Sequence, residues 1–303
     1  MDKTSGLSMF TMIFSPIVFV AVWLTLCSPV TGIAQTKKNE VVENLLRPVI
    51  TGYGVGTFKV GALLYKADFS QADDWDVQLQ EKPDSRLQPR VVKTAEMLDV
   101  YAADVGCTAW LKREFVGPIA IVFRMRCPEN TQHDLGITPR DANNFWMASS
   151  GDDANSSLFD RKRYTGDFRD YNQMKGYYCS SGGRSNTTTR LRRYPREADG
   201  KSVPHIALTH QDKKPEYLLT AGKWHTVQLV AYDDIVQYLF DGQLVYEIRK
   251  GDQVSVEFKR KAKKSIYNLD RFPAYTRGYF GFRMVNTHHQ YKDLKVFRLE
   301  ANN

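Results

Sequence analysis

The stretch that decides the fold is Ile235–Ile248, IVQYLFDGQLVYEI. Two runs rich in β-forming residues flank Asp241-Gly242, a dipeptide whose tolerance of positive φ angles suits a two-residue hairpin turn. Short runs of this kind, separated by turn residues, recur from Gly61 onward. They predict strands at Ala62–Asp68, Trp75–Gln80, Arg90–Lys93, Met97–Tyr101, Thr108–Phe115, Ile119–Arg126, Asn144–Ala148, Lys175–Ser180, Ser185–Arg193, His225–Tyr232, Ile235–Phe240, Gln243–Ile248, Tyr279–Met284 and Leu294–Leu299. The sequence shows neither a long amphipathic helix nor an internal repeat. It therefore predicts an all-β, two-sheet jelly-roll sandwich.

The N-terminal segment has the features of a secretory signal peptide. A short head with Lys3 precedes the apolar run Met9–Leu26, and small residues lead to Ala34, where we expect cleavage. Two prolines and the small-residue exit argue against a membrane anchor. We therefore expect a secreted or periplasmic protein without a stable membrane anchor. Its expected parts are a signal peptide (1–34), a linker or arm (35–58) and a β-sandwich domain (59–303).

The chain of 303 residues carries a formal net charge of +8, and only Asp2 and Lys3 are charged within the expected signal peptide. A positive balance suits acidic partners. Export makes an anionic polysaccharide the preferred partner, and nucleic acid is not expected because no binding motif is present. We expect a monomer. Charge alone is weak support, since many exported proteins are basic without binding anything acidic.

Three cysteines remain after the expected cleavage. The strands on either side of Val116-Gly117-Pro118 are predicted to pair as a hairpin that sets Cys107 directly against Cys127. In an oxidising compartment, this arrangement predicts a cross-strand disulfide. Cys179 is left over and is interpreted as a structural thiol. No metal or other cofactor is predicted, although a calcium ion bracing the loop Gly151–Asn155 is left open.

The segment Asp170–Arg196, DYNQMKGYYCSSGGRSNTTTRLRRYPR, predicts a second hairpin with a two-residue turn at Gly182-Gly183. Directly opposed residues share a face of an antiparallel pair. One face would then carry Tyr177, Cys179, Arg184, Asn186, Thr188, Arg190 and Arg192. Neither face is apolar, so we interpret this hairpin as facing a ligand, and a solvated edge hairpin is the alternative.

Three motifs resemble a poorly characterised family of secreted bacterial concanavalin A-like sandwiches. They are Asp141–Ala148 (DANNFWMA), Asn186–Tyr194 (NTTTRLRRY) and Gly278–Arg283 (GYFGFR). That family is distantly similar to the 3-keto-disaccharide hydrolase domain and accompanies polysaccharide degradation. The resemblance runs from about Ala62 to Leu299. It implies a jelly roll whose concave sheet, including the Asp170–Arg196 hairpin, binds saccharide.

Three further residues would add to such a surface. Asn144 and Trp146 share a face of their strand and offer an amide and a stacking ring, although core packing is the rival interpretation for the indole. Because side chains alternate between the two faces of a strand, Arg283 is expected to face away from Phe280 and Phe282. The rival interpretation of Arg283 is an ordinary surface arginine.

The first functional hypothesis is a lyase acting on a uronate-containing polysaccharide. β-Elimination needs a group that neutralises the carboxylate, a base and an acid. The side chains of Arg190, Arg192 and Asn186 would neutralise the carboxylate. Tyr177 would act as base and acid, and His288 or His289, expected in a turn, is the alternative base. Catalysis is thus assigned to Tyr177, Arg190 and His288, and substrate binding to Asn144, Trp146, Asn186, Thr188, Arg192 and Arg283.

Other functions remain open. A non-catalytic carbohydrate-binding module would use the same arginines, amides and aromatic rings without a base. An enzyme that cleaves keto-glycosides follows from the resemblance, but no metal-ligand constellation supports it. A glycosidase is disfavoured because the arginine-rich motif lacks paired carboxylates. A purely structural envelope protein ranks third.

Overall fold

The computed structural model describes residues 46–84, 87–130, 136, 139–151, 156–198, 200–208, 215–258 and 261–303. Its strands are β1 Phe58–Lys66, β2 Trp75–Leu79, β3 Arg90–Lys93, β4 Met97–Val116, β5 Ile119–Arg126, β6 Ala142–Ser149, β7 Lys175–Gly182, β8 Thr188–Tyr194, β9 Glu197–Ala198, β10 Lys201–Ser202, β11 His205–Leu208, β12 His225–Tyr232, β13 Ile235–Phe240, β14 Gln243–Ile248, β15 Gln253–Phe258, β16 Lys261–Ile266 and β17 Arg277–Ala301. Short 3₁₀ turns lie at Gly52–Gly54, Ala72–Asp74, Phe168–Tyr171 and Pro215–Tyr217. All strand pairs are antiparallel, which confirms the predicted all-β jelly-roll class.

Two long strands, β4 and β17, run through both layers of the sandwich. Along one edge, β17 pairs first with β6 and then with β5. The first half of β17 therefore belongs to a front sheet (β2, β4, β17, β6, β7, β8, β11, β15 and β16), and its second half to a back sheet (β1, β3, β4, β17, β5, β12, β13 and β14). The sequence predicts β4 as two short strands. Instead the chain bends without a turn, because Asp104 and Asn286 adopt positive φ angles of 63° and 46° where the pairing shifts register.

The main core fills the space between the two sheets. Strand alternation directs Trp146, Tyr177 and Phe282 of the front sheet toward Phe123 and Tyr238 of the back sheet, and all five are buried. Burying large aromatic side chains of this kind contributes about 1.5–3 kcal/mol each to the free energy of folding. Large aromatic residues from both sheets thus provide much of the packing between the layers.

A smaller apolar cluster lies on the outer face of the front sheet. Trp110 and Phe145 of the sheet stack at 5.5 Å between ring centroids. Tyr164 and Tyr171 come from the segment Ser156–Met174, here called the cover segment, and pack over them. The cover segment shields part of this face from solvent, which decides where polar groups of the sheet can meet a ligand.

The predicted pairing around the cysteines is wrong. β4 and β5 do not pair with each other, because β17 lies between them in the back sheet. Cys107 instead lies opposite Met284, and Cys107, Cys127 and Cys179 are all buried free thiols. Burial raises the pKa of each thiol to about 12, so all three stay protonated and unreactive.

The described part of the expected linker lies against the back sheet. Leu46 is buried, and the backbone of Val49 exchanges two hydrogen bonds with the side chain of Gln228, at 2.7 and 2.8 Å. The expected signal peptide lies outside the described residues. Within the part of the chain that is described, no helix is long and apolar enough to cross a membrane.

Candidate functional site

The register of the β7–β8 hairpin differs from the predicted one. Gly182 still belongs to β7, and the chain then needs the four-residue turn Gly183–Asn186, in which Arg184, Ser185 and Asn186 all have positive φ. As a result, Tyr178 pairs with Arg192 and Ser180 pairs with Arg190. A shift by an odd number of residues moves side chains to the opposite face. The prediction that Tyr177 shares a face with the two arginines is therefore wrong.

Tyr177 lies in the core between the sheets. It is 1% exposed, its ring packs against Trp146 at 5.4 Å, and its hydroxyl oxygen accepts a hydrogen bond from the Tyr275 backbone N–H at 2.9 Å. Burial raises the pKa of Tyr177 far above its ordinary value. A phenol held neutral in the core cannot act as the base that the sequence assigned to it.

Asn144 and Trp146 also face the core, so their predicted contact with sugar is corrected in favour of core packing. Trp146 lies directly opposite Tyr177, and Asn144 lies opposite Cys179, whose sulfur accepts a hydrogen bond from Asn144 Nδ2 at 3.6 Å. Both residues are buried. The shared face that the sequence predicts for them is real, but it is the inner one.

Two more predicted ligand contacts lie in the hairpin turn and at the start of β8. The Asn186 side chain donates to the Leu219 carbonyl oxygen at 2.8 Å and accepts from the Leu219 N–H at 2.9 Å, which ties the turn to a neighbouring loop. Thr188 is buried, and its hydroxyl has no partner within the described residues. Asn186 is thus a structural brace, because its amide is already satisfied.

The histidines are in strand β17 rather than in the predicted turn. His288 lies opposite Tyr101 in the back sheet, and its Nε2 is 2.9 Å from Asp99 Oδ1. Burial raises the pKa of Asp99, but hydrogen bonds from His288 and Gln290 outweigh that effect and lower it. His289 is fully buried, which lowers its pKa to about 3. His288 and the hairpin arginines thus belong to different sheets, and the structure does not unite them in one site.

A row of polar side chains instead crosses the outer face of the front sheet. Successive strand pairings connect Gln78, Thr108, Arg283, Asn143, Ser180 and Arg190. Arg283 therefore faces away from Phe280 and Phe282, as its alternation predicts. Arg190 and Arg192 share this outer face and are half-buried, while Arg283 is fully buried. Three of the predicted residues, Arg190, Arg192 and Arg283, are thus on one surface.

Arg283 is held beneath the cover segment rather than exposed. Its Nη1 donates to the Gly166 carbonyl oxygen at 2.7 Å and to Thr108 Oγ1 at 3.2 Å. Its guanidinium lies 5.3 Å from the Tyr171 ring centroid and 5.6 Å from that of Phe168. Nε and Nη2 are buried without a partner among the described residues, and no described carboxylate forms an ion pair with them. Burying a cation without a compensating anion costs free energy. An uncompensated buried guanidinium of this kind is typical of sites that bind an anion.

Asp141, just before β6, places a carboxyl group close enough to Arg140 and Arg283 for their charges to act on it. Burial raises its pKa to about 6, although the charges of Arg140 and Arg283 act in the opposite direction. No described residue donates a hydrogen bond to its side-chain oxygens. A carboxyl group with a pKa near neutrality can give up or take a proton under ordinary conditions.

Tyr178 completes the group on the arginine side of the hairpin. Its ring lies 5.1 Å from that of Phe145 and 5.5 Å from that of Tyr194. Burial raises the pKa of Tyr178 well above its ordinary value, and Asp141, Arg192 and Arg283 are close enough for their charges to act on it. We call Asp141, Asn143, Tyr178, Arg192 and Arg283 the arginine cluster.

The cluster combines groups with distinct chemical capacities. Two guanidinium groups can bind an oxyanion, and the buried Asn143 Oδ1 lacks a donor among the described residues. Tyr178 is a neutral proton donor. A cleft of about 720 Å³ lies beside the cover segment and is lined by Gln80, Arg161 and Asp167, among others. No group of three or more metal-ligating side chains occurs in the described ranges.

Sequence reasoning missed Asp141, Asn143 and Tyr178. Asp141 and Asn143 lie within the motif Asp141–Ala148 but receive no role from the sequence, and Tyr178 directly follows Tyr177, to which catalysis is assigned. The signal that could have found them is alternation counted from Arg283, which is on the outer face and opposes Asn143. That count requires the pairing of β17 with β6, which no local pattern reveals.

Fold and site together define a two-layer β-sandwich with an arginine-rich outer surface on one sheet. Residues 101–259 match the family model described as "Domain of unknown function (DUF6250)", and this match spans more than half of the chain. The chain therefore belongs to the DUF6250 family. No curated protein matches its sequence.

Solved structures resemble the chain in fold. One is a Bacillus subtilis protein of unknown function with a galectin-like fold, 16% identical, covering 81% of this chain and 100% of its own, with a TM-score of 0.55. Another is the catalytic domain of PdAgaC, 11% identical, covering 84% of this chain and 96% of its own, with a TM-score of 0.50. At such identities the likeness concerns the fold alone. It agrees with the jelly-roll expectation, whereas similarity to the 3-keto-disaccharide hydrolase domain stays a prediction.

Proposed function

We propose that this protein is a carbohydrate-active protein that binds a uronate-containing polysaccharide at the arginine cluster and cleaves it by β-elimination. The observation that carries the proposal is the convergence of two guanidinium groups, a carboxyl group with a pKa of about 6 and a neutral phenol on one face of one sheet. The sandwich fold is compatible with this role, since one structural relative is a catalytic domain.

The arginines would act on the substrate carboxylate. A guanidinium can bind a carboxylate through two parallel hydrogen bonds, and neutralising that charge makes the neighbouring C–H more acidic. Arg192 is half-buried and accessible, whereas Arg283 becomes available only if the cover segment moves. Arg192 would therefore meet the substrate first, with Arg190 next to it on the same face.

Asp141 and Tyr178 would divide the two proton transfers. Ionised Asp141 would take the proton from the carbon beside the uronate carboxyl group. The electron pair left behind would form a carbon–carbon double bond and expel the glycosidic oxygen, which Tyr178 would protonate. A raised pKa suits Tyr178 to the role of acid rather than base, while a pKa of about 6 makes Asp141 a base at neutral pH.

Glycoside hydrolysis would need a second available carboxyl group on the same face. Among the described residues, Asp76 is the carboxylate on this face of β2, and it forms an ion pair with Arg161 at 2.7 Å. Asp167 caps the 3₁₀ turn Phe168–Tyr171 by accepting from the Arg169 N–H. Both carboxylates have structural partners, which supports elimination over hydrolysis.

The test is ultraviolet absorbance of the unsaturated uronide formed from a panel of uronate-containing polysaccharides. We expect wild type to generate absorbance, and Asp141→Asn, Tyr178→Phe and Arg192→Gln each to reduce the rate by about 10²-fold or more. Tyr177→Phe is the matched control: it removes an equivalent hydroxyl on the inner face and should retain activity. Activity that depends on Tyr177 but not on Tyr178 would contradict the assignment.

A non-catalytic binding module is the second candidate. It is favoured by one observation, namely that Tyr178 is 6% exposed and Arg283 is covered, so that Arg190 and Arg192 offer the accessible cations. Retention of the protein on an immobilised uronate polysaccharide without any gain in absorbance, together with loss of retention in Arg192→Gln, would favour this candidate. Secretion, a monomeric state and independence from cofactors remain predictions under either candidate.

A further inference from the structure

A second group of cations lies on the outer face of the back sheet, around Trp224. Lys292 Nζ lies 4.2 Å from the centroid of the Trp224 ring, and the guanidinium carbon of Arg126 lies 4.7 Å from it. The guanidinium carbon of Arg124 lies 5.8 Å from the same ring. All four side chains are half-buried. We call them the tryptophan patch.

The strand register explains why the charges converge. In β5, Arg124 and Arg126 alternate with the core residues Phe123 and Met125, so both arginines point outward. Lys292 in β17 lies directly opposite Arg124. Directly opposed like charges are destabilising in a sheet. Burial, together with the charges of Arg124 and Arg126, lowers the pKa of Lys292.

Local carboxylates offset only part of this positive charge. Asp293 Oδ2 accepts from Arg124 Nε at 2.9 Å. Arg126 Nε donates to the neutral amide of Gln290 at 2.6 Å. Asp293 and Glu96 act on Lys292 over longer distances, but no described carboxylate forms an ion pair with Lys292 or Arg126. Among the described residues, Lys292 and Arg126 therefore lie over one indole ring without a carboxylate in an ion pair with either of them.

We propose that the tryptophan patch is a second anion-binding site, which takes a carboxylate or sulfate group carried by an acidic glycan. Arg126 supplies a planar fork of donors and Lys292 a compact charge, and both are the usual partners of such oxyanions. The half-buried indole adds a flat apolar surface against which a sugar ring can pack. This site is on the opposite sheet from the arginine cluster, so it stands whether or not elimination occurs there.

Intrinsic fluorescence offers a direct measurement. Trp75, Trp110 and Trp146 are buried, and Trp23 lies within the expected signal peptide, so Trp224 is the tryptophan whose emission should respond to a surface ligand. The protein would be titrated with a uronate oligomer, a sulfated oligosaccharide, a neutral oligosaccharide of equal length and sodium sulfate. Titrations of the Arg192→Gln variant would exclude emission changes caused by ligand binding at the arginine cluster.

We expect a saturable emission change with at least one acidic glycan and none with the neutral one, and weaker binding as ionic strength rises. A response to the uronate oligomer alone would identify a carboxylate site, and a response to the sulfated one alone a sulfate site. Lys292→Gln and Arg126→Gln should each raise the dissociation constant roughly tenfold. Lys201→Gln removes the same charge from an exposed strand position elsewhere and should leave it unchanged.

Two outcomes would overturn the proposal. One is the absence of an emission change with both acidic glycans, including the case in which sodium sulfate alone responds. The other is a saturable change that survives in the Lys292→Gln, Arg126→Gln double variant. Thermal unfolding of both single variants would establish that they are folded before their affinities are compared.

Discussion

At the scale of single residues, Asp141 couples the arginine cluster to pH. Its pKa of about 6 in the folded protein exceeds the ordinary value of 3.8. The unfolded chain therefore loses this proton first as pH rises, and folding stability falls between about pH 4 and pH 6. Asn cannot ionise. We expect the stability of Asp141→Asn relative to wild type to rise from pH 4 to pH 7, by up to about 3 kcal/mol.

Urea unfolding of both proteins between pH 4 and pH 7 provides this measurement. Asp68 is a suitable contrast, because hydrogen bonds from Gln71 and Ser70 lower its pKa. Asp68→Asn should therefore differ from wild type by a nearly constant amount over this range, because Asp68 titrates below about pH 4 in both the folded and the unfolded chain. A difference between Asp141→Asn and wild type that stays constant with pH would contradict the raised pKa.

Gly106 has an equally specific role beneath the arginine cluster. A Cβ atom at this position would overlap the Gly166 carbonyl oxygen and approach Arg283 Nη2 at 3.0 Å. Because that carbonyl accepts the Arg283 hydrogen bond, Gly106→Ala should displace both partners and cost about 1–3 kcal/mol of stability. Gly61→Ala is the matched control, since its Cβ meets only the movable Glu300 carboxyl group. Equal stability of the two variants would refute the close packing.

At the scale of strands, sequence reasoning identified most elements but not all of their pairings. The Asp241-Gly242 hairpin has the expected turn, with Phe240 opposite Gln243. In the β7–β8 hairpin, local glycines suggested a two-residue turn, whereas three further residues accept positive φ and lengthen it. Because strand side chains alternate, that change in turn length exchanged Tyr177 for Tyr178 on the arginine face.

Edge strands show a related limit. No strand is predicted between Lys250 and Tyr275, yet Val256 pairs with Lys263 in the β15–β16 hairpin. Alternating lysines carry little information about burial when a strand lies at the edge of a sheet. The candidate site depended even more on long-range pairing, since Arg283 and Asn143 are adjacent only because β17 pairs with β6.

The β7–β8 turn itself depends on Asn186. Asn186→Ala would leave the Leu219 N–H and carbonyl groups without their partner and would place alanine at a φ of 63°. We expect a loss of about 2–4 kcal/mol from unsatisfied hydrogen bonds and backbone strain. Asn186→Gly removes the same hydrogen bonds without the strain, so it should cost less. Chemical denaturation of both variants measures the two contributions, and no loss in either variant would exclude the bracing role.

At the scale of the whole molecule, the N-terminal stretch closes the outer face of the back sheet. Phe58 stacks on Tyr232 at 4.8 Å and packs with Ala120 and Val230, while the preceding residues bond to Gln228 and Gln237. The expected linker thus contributes packing at its described end. This arrangement divides the back sheet into a covered region and an open region that carries the tryptophan patch.

Leu46 tests that contribution most simply, because it is 2% exposed and lies at the start of the described chain. Leu46→Ala should lower the free energy of unfolding by about 2–4 kcal/mol through lost apolar burial and the cavity left behind. Val49→Ala, at a position 46% exposed in the same stretch, should cost far less. If the stretch behaved as a detached linker, both variants would unfold at the wild-type temperature. A selective loss in Leu46→Ala would therefore establish that the sandwich domain begins before the position expected from sequence.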